Sequence, residues 1–336
     1  MKQATVVIPH AFTSRWTAIA VASLKAHTNA ADFDIIVVDC SKGHPSIKTI
    51  TETSLGEGVL VIDMPDPNLA GHQIALDHCI DLVETPWFVA WETDVRVMRD
   101  GWLDWMLSYV KDEYIPIVGW YWKSDPEFDD LRHYISPAGA LYKTSILKRL
   151  KKEVLLNTDL AVCYGPDMSK RIDIMKEYPD TGGKLIPRGI WGPFLEARGF
   201  GNVYPYSKQR AHWVPEPGNW IYNRCVMQWE CINLPGAMVE GDPSVVSLGL
   251  PHTHTYVGPS DAEAYYVHYW AGTVSHNFDK HMIGPAEEQK LAWWLTREFR
   301  IWNEQVPEDA RRYCIDNGLV RTYDEELAYG RSRVKR

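Results

Sequence analysis

Glu92-Thr93-Asp94 is the stretch of this chain with the clearest capacity for chemistry. The run Trp87-Phe88-Val89-Ala90-Trp91 reads as a buried strand, and it stops at two acids one residue apart. On a strand, residues i and i+2 point to the same side, so Glu92 and Asp94 would present two carboxylates together at the strand's carboxyl end. Two hard oxygen ligands with room for waters and phosphate oxygens suit Mg²⁺ or Mn²⁺ and not zinc. A metal held there would neutralise a pyrophosphate leaving group. Taken alone, such a triplet is more often a solvated loop beyond an edge strand, because acid-x-acid triplets are common.

Other residues with chemical potential lie in the second half. His252-Thr253-His254 carries two imidazoles at i, i+2, which a strand would set on one face as a rival source of metal ligands. His268 and His276 are expected to be structural, since a lone histidine is more often a hydrogen-bonded structural residue than a ligand. Trp120, Trp191, Trp213 and Trp220 could form a stacking floor for an acceptor sugar or base. Core packing is the expectation for most of the 15 tryptophans.

The elements that must position the acids follow from hydrophobic patterning. Thr5-Val6-Val7-Ile8-Pro9 predicts a short strand, Ile35-Ile36-Val37-Val38 a second ending at Asp39, and Val59 to Ile62 a third. These runs do not alternate with polar residues, which predicts a sheet covered on both faces. Helices are expected from about Arg15, with Trp16, Ala20 and Leu24 on one face, and from Gly71, with Ala75, Cys79, Ile80 and Val83. Asp100 is the expected cap of a third helix, carrying Trp102, Trp105, Met106 and Tyr109. Strand-helix repetition over the first 110 or so residues predicts a doubly wound α/β sheet. Its ligands should lie at the strand ends, where Pro9, Asp39 and Glu92/Asp94 would converge. Later expectations are strands at Ile117–Trp122, 136–142 and 202–206, a helix at Glu287–Asn303 and a frayed basic end at Arg331–Arg336.

Composition narrows the classes. A formal net charge of −9 disfavours a broad nucleic-acid or anionic-membrane surface. Six cysteines without a CxxC pair read as reduced thiols of a cytoplasmic protein. Neither a signal peptide nor a membrane-length apolar run is visible, so stable membrane insertion is not expected.

TVVIP, then IIVVD, then NLAG opening a helix, then FVAWETDV and a helix beginning GWL resemble, in that order, the nucleotide-sugar-binding half of family 2 glycosyltransferases with the GT-A fold. The resemblance covers roughly residues 4 to 110. It implies a doubly wound, mostly parallel sheet flanked by helices, followed by a helical C-terminal extension. By this likeness residues 1–112 form the donor half, 113–250 the acceptor and catalytic half of the same domain, and 251–336 the extension. Pro9, His10, Phe12 and Asp39 would line the nucleotide base, and Glu92-Thr93-Asp94 would be the DxD-type metal and diphosphate site. Gly71 closes the NLAG-like turn, and His72 and Gln73 stand early in the helix after it, where members of the family often carry a basic residue; all three would contact the donor. His212, after the strand-like 202–206 and ahead of a Gly-containing loop, fits the position of a third metal ligand.

The usual Glu-Asp base of the family is not visible. Tyr178-Pro179-Asp180-Thr181-Gly182-Gly183 looks like an Asp-Thr-Gly variant, which makes Asp180 the candidate base that takes a proton from the attacking hydroxyl. A plain Asp-Thr-Gly turn is the alternative, and Asp167 and Asp173 are rivals without a motif. The implied activity is inverting, Mn²⁺- or Mg²⁺-dependent transfer of a sugar from a nucleotide-diphospho-sugar. The acceptor would be a glycan, a protein or a modified nucleic-acid base, with Trp213 and Trp220 near it. Two other readings stay open. A nucleotidyltransferase would want a Gly-rich, basic loop after the first strand, which His10 to Arg15 does not provide. A sugar-binding protein without catalysis would account for the missing Glu-Asp pair.

Overall fold

β-Branched and apolar runs build the centre of the molecule. In chain order the elements are β1 (Ala4–His10), α1 (Ser14–Ala26), β2 (Phe33–Asp39), α2 (Glu52–Leu55), β3 (Val59–Asp63), α3 (His72–Cys79), β4 (Trp87–Ala90), β5 (Val95–Val97) and α4 (Trp102–Leu107). They continue with β6 (Ile117–Trp122), β7 (Tyr134–Ile135), β8 (Ala140–Lys143), α5 (Thr144–Asn157), β9 (Leu160–Ala161) and β10 (Gly165–Pro166). The last are β11 (Ile232–Leu234), β12 (Gly236–Glu240), α6 (Pro243–Val246), β13 (His252–Val257), β14 (Tyr266–His268), α7 (Pro285–Gln305), α8 (Glu308–Asp316) and α9 (Tyr323–Val334). The structure, a computed structural model, describes residues 2–11, 13–41, 52–64, 72–122, 134–157, 160–161, 165–166, 225, 230–241, 243–246, 252–269 and 285–334.

The main sheet has the order β11-β6-β8-β4-β1-β2-β3, with β7 pairing β6. β1 is parallel to β2 and β4, β2 to β3, and β6 to β11, while β8 runs antiparallel between β4 and β6. This is the doubly wound, mostly parallel sheet expected, with helices on both faces. Val6, Ile8, Ile35, Val37 and Val89 join one apolar cluster with α1, α4 and the Ile301–Trp302 part of α7. Val7, Ile36, Val38, Phe88 and Ala90 join the other, with α3 and α5. Alternate residues of one strand thus feed opposite cores, which explains why these strands read as unbroken apolar runs.

From β1 the chain winds through β2 to β3, then returns to place β4 on β1's other side. That reversal opens the crevice at the carboxyl ends of β1 and β4 in which such sheets take ligands. A second, antiparallel sheet, β12-β13-β14-β5, meets the first there, because only four residues separate β4 from β5. Within residues 251–336, expected to be a mainly helical extension, the first described elements are two strands, β13 and β14, and the described helices start at Pro285.

Three local expectations are corrected. Asp100 does not cap α4: Gly101 holds the N-cap position at φ 76°, and Asp100 instead accepts a hydrogen bond from His27 Nδ1 at 2.7 Å. α3 ends at Cys79, so Ile80 and Val83 are buried in the turns beyond it. α9 carries helix through Val334, into the basic end expected to fray.

Candidate active site

β4 ends at Ala90, and the acids lie in the turn that follows it. Val95 N donates to Glu92 O at 3.2 Å, closing a turn over Glu92-Thr93-Asp94 before β5. The carboxylates therefore converge through a turn and not through the i, i+2 geometry of a strand. Trp91 anchors the turn from below. Its backbone N extends the pairing to Val7 O at 3.0 Å, and its indole Nε1 donates to Val95 O at 3.1 Å. The Trp91 ring packs 5.1 Å from Trp102 and 5.4 Å from Tyr266. The Tyr266 hydroxyl donates to Gly139 O at 3.0 Å, and a Cβ at Gly139 (φ 86°) would lie 2.7 Å from the Tyr266 ring. Only glycine suits that position, on conformational and steric grounds.

The third member of the group arrives from far along the sequence. β14 pairs antiparallel with β5 so that His268 stands opposite Val95, and Tyr269 N donates to Asp94 O at 2.9 Å. This register brings His268 Nε2 to 3.2 Å from Glu92 Oε2 and 3.4 Å from Asp94 Oδ1. One ligand atom from each of Glu92, Asp94 and His268 lies within 4.8 Å of the others. Asp94 and His268 are buried and Glu92 is half-buried, so the group faces outward on the Glu92 side. Burial alone would push the His268 imidazolium's pKa down. The charges and hydrogen bonds of Asp94 and Glu92 outweigh it and raise the pKa from 6.5 to about 10. Two carboxylates thus hold a proton on His268 where a divalent cation would have the same attraction.

His268 is the residue that sequence reasoning set aside as structural. Its signal was the alternating Tyr266-Val267-His268 ending against aromatics, but the pairing of β14 with β5 is not written in either strand. His254, the rival, bonds to Asp261 at 2.8 Å within its own hairpin and does not join the acids.

Of the other expected residues, His10 and Asp39 stand side by side at the ends of β1 and β2, with Asp63 of β3 on Asp39's other side. His10 is buried and bonds to Thr17 Oγ1 at 2.7 Å, and half-buried Pro9 precedes it. Asp39 is buried and its Oδ1 accepts from Ser41 N at 2.8 Å and from the Ser41 hydroxyl, which orients the carboxylate. Thr93 is buried in the acid turn. Trp120 belongs to the core, with 7% of its surface exposed, and so is no part of an open stacking floor. Phe12, Gly71, Asp167, Asp173, Asp180, Trp191, His212, Trp213, Trp220 and His276 lie outside the described residues, as do the side chains of His72, Gln73 and His252.

No family model and no curated protein matches the sequence. Among solved structures, the chain is similar to TarS 1-349 of S. aureus, at 15% identity over 44% of this chain and 48% of that one, with a TM-score of 0.35. It is similar to the mannosyltransferase PcManGT from Pyrobaculum calidifontis, in complex with GDP-Man and Mn²⁺, at 14% identity over 52% of each chain and a TM-score of 0.37. Glucosyl-3-phosphoglycerate synthase from Mycobacterium tuberculosis, with Mn²⁺, UDP and glucosyl-3-phosphoglycerate, matches at 14% identity over 44% of this chain and 59% of that one, TM-score 0.34. The chain spans about half the length of these structures. Likenesses so distant do not bear on the chemistry, and the fold rests on the strand order itself. Among the described residues no helix is long and apolar enough to cross a membrane.

Proposed function

We propose that this chain is a glycosyltransferase moving a hexosyl group from a nucleotide-diphospho-sugar to an acceptor hydroxyl, with Mn²⁺ or Mg²⁺ held by Glu92, Asp94 and His268. The observation that carries the reading is the convergence of those three side chains within 4.8 Å, at the sheet's switch point where nucleotides bind. The donor set fits the metal. Two carboxylate oxygens and one imidazole nitrogen suit Mn²⁺ well and Mg²⁺ acceptably, and leave positions for phosphate oxygens. Bound there, the metal would offset charge developing on the diphosphate leaving group.

The chain's own residues take the remaining roles. His268 fills the place in the metal set that the resemblance gave to His212, and it must release its proton to do so. Asp39, held by Ser41, is assigned with Pro9, His10 and Phe12 to binding the nucleoside. Thr93, Gly71, His72 and Gln73 would bind the donor, and Trp213 and Trp220 the acceptor. Asp180 takes the proton from the attacking hydroxyl, so that one displacement inverts the anomeric centre.

Incubating the protein with Mn²⁺ and a panel of nucleotide-sugars should show slow donor hydrolysis that a chelator abolishes. Asp94→Ala should lower it by about 100-fold or more, the scale of losing a few kcal/mol of charge stabilisation. Equal hydrolysis in wild type and Asp94→Ala would defeat the reading.

A further inference from the structure

We infer that the guanidinium of Arg297, on α7 of the C-terminal extension, docks the donor diphosphate beside the metal group. The inference rests on the glycosyltransferase reading. Arg297 is only 9% exposed, and among the described residues neither of its terminal nitrogens has a hydrogen-bond partner. A desolvated guanidinium without acceptors is unfavourable, and the chain holds this one firmly in place. Its central carbon lies 4.6 Å from the ring centre of Tyr269, 4.7 Å from Trp294 and 5.2 Å from Trp293. Aromatic faces fix a guanidinium's plane while leaving its N–H edges for an anion.

Position connects this cage to the metal group. Tyr269 directly follows His268, and its backbone N donates to Asp94 O at 2.9 Å. Burial lowers the Arg297 pKa to about 10, and the Asp94 charge is near enough to oppose that shift, so the group stays cationic at neutral pH.

Charge balance says what is missing. Glu92 and Asp94 together cancel a divalent cation, and a neutral His268 adds nothing, so the loaded group has no surplus charge for a diphosphate. The start of α3 after NLAG, where a basic residue would help, offers His72 and Gln73. Arg15, near the end of β1, is committed to Glu298 and Glu326. Arg297 supplies a cation from the extension instead, and its planar fork matches phosphate oxygens in pairs.

Calorimetry would test this with Mn²⁺ alone, then UDP, GDP and inorganic pyrophosphate with Mn²⁺ present, and uridine and guanosine as phosphate-free controls. In Arg297→Met, Mn²⁺ affinity should stay within about threefold while the diphosphates weaken by about 10-fold or more, the loss of a charge-assisted pair of bonds. Arg297→Lys should fall between, and nucleoside binding should not change. Diphosphate affinity in Arg297→Met equal to wild type overturns the inference and leaves the glycosyltransferase reading standing. Should that variant not fold, Arg297→Lys binding as tightly as wild type overturns it equally. If wild type takes up no diphosphate with Mn²⁺ present, the glycosyltransferase reading falls and the inference with it.

Discussion

Two buried arginines, Arg15 on α1 and Arg297 on α7, are treated by the chain in opposite ways. Arg15, in the first turn of α1, is 3% exposed and lies 4.0 Å over the Phe299 ring. It donates to Glu298, to Glu326 at 3.3 Å and to the Arg321 carbonyl at 3.1 Å. Arg297 precedes Glu298 by one residue, lies over three rings, and has no such acceptor among the described residues. The same side chain, at similar burial, is a lock in one case and a buried cation without an acceptor among the described residues in the other. What separates them is whether the protein supplies the anion. The lock also does something for that second cation: it fixes α7 against the first turn of α1, and so sets where Arg297 stands.

The largest effect should come from breaking the lock. Arg15→Met takes the guanidinium away from buried Glu298 and leaves Glu326 with Arg321 at 3.4 Å, and should cost about 3–5 kcal/mol in urea denaturation. Adding Glu298→Leu should recover much of that loss, because much of the penalty is that of a buried carboxylate deprived of its arginine. A loss under about 1 kcal/mol would make the contact no stronger than a surface pair and erase the contrast between the two arginines.

His268 is intermediate: a cation matched by acids that a metal can replace. Its pKa is raised from 6.5 to about 10 in the folded, metal-free chain. The resulting stability is fully present below about pH 6.5 and is lost as pH rises through about 10, since the unfolded chain gives up that proton first. Thermal melts in chelator should therefore fall across that window by an amount equivalent to a few kcal/mol. With Mn²⁺ the fall should flatten, because metal binding releases the proton and strengthens as pH rises. A flat profile in chelator would show that the acids do not hold the His268 proton.

The sequence could show the lock's strand neighbours but not its partners. β1, β2, β3 and β4 were legible because a parallel sheet buried on both faces imposes continuous apolar runs on each strand locally. Glu92 and Asp94 were legible as acids interrupting such a run, though for a geometric reason that the turn replaces. His268 was not, because its proximity to them depends on β14 pairing with β5 more than 160 residues away in the chain. Arg297 was hidden more deeply. Its helix is plain from Leu291, Trp294, Leu295 and Phe299, but helical spacing makes an arginine among tryptophans look like ordinary amphipathic surface. Long-range register and missing hydrogen bonds are properties of the assembled structure, and single-chain periodicity carries neither.

The smallest effect, and the sharpest test of the contrast, is the stability of Arg297→Met without ligand. The substitution gives up cation–π contacts of about 0.5–2 kcal/mol and relieves desolvated N–H groups worth about 1–3 kcal/mol. Methionine also fills the same aromatic cage with a flexible apolar chain. The net change should lie within about 1 kcal/mol of zero, with the sign toward stabilisation, opposite to Arg15→Met. Adding Mn²⁺ with UDP or GDP should then raise the melting temperature of wild type more than that of the variant, since ligand stabilisation follows affinity. A ligand-free loss of about 3 kcal/mol, the size expected at Arg15, would mean that the cage itself is what the arginine is for. Both arginines would then be locks, and the diphosphate would have to find its cation elsewhere.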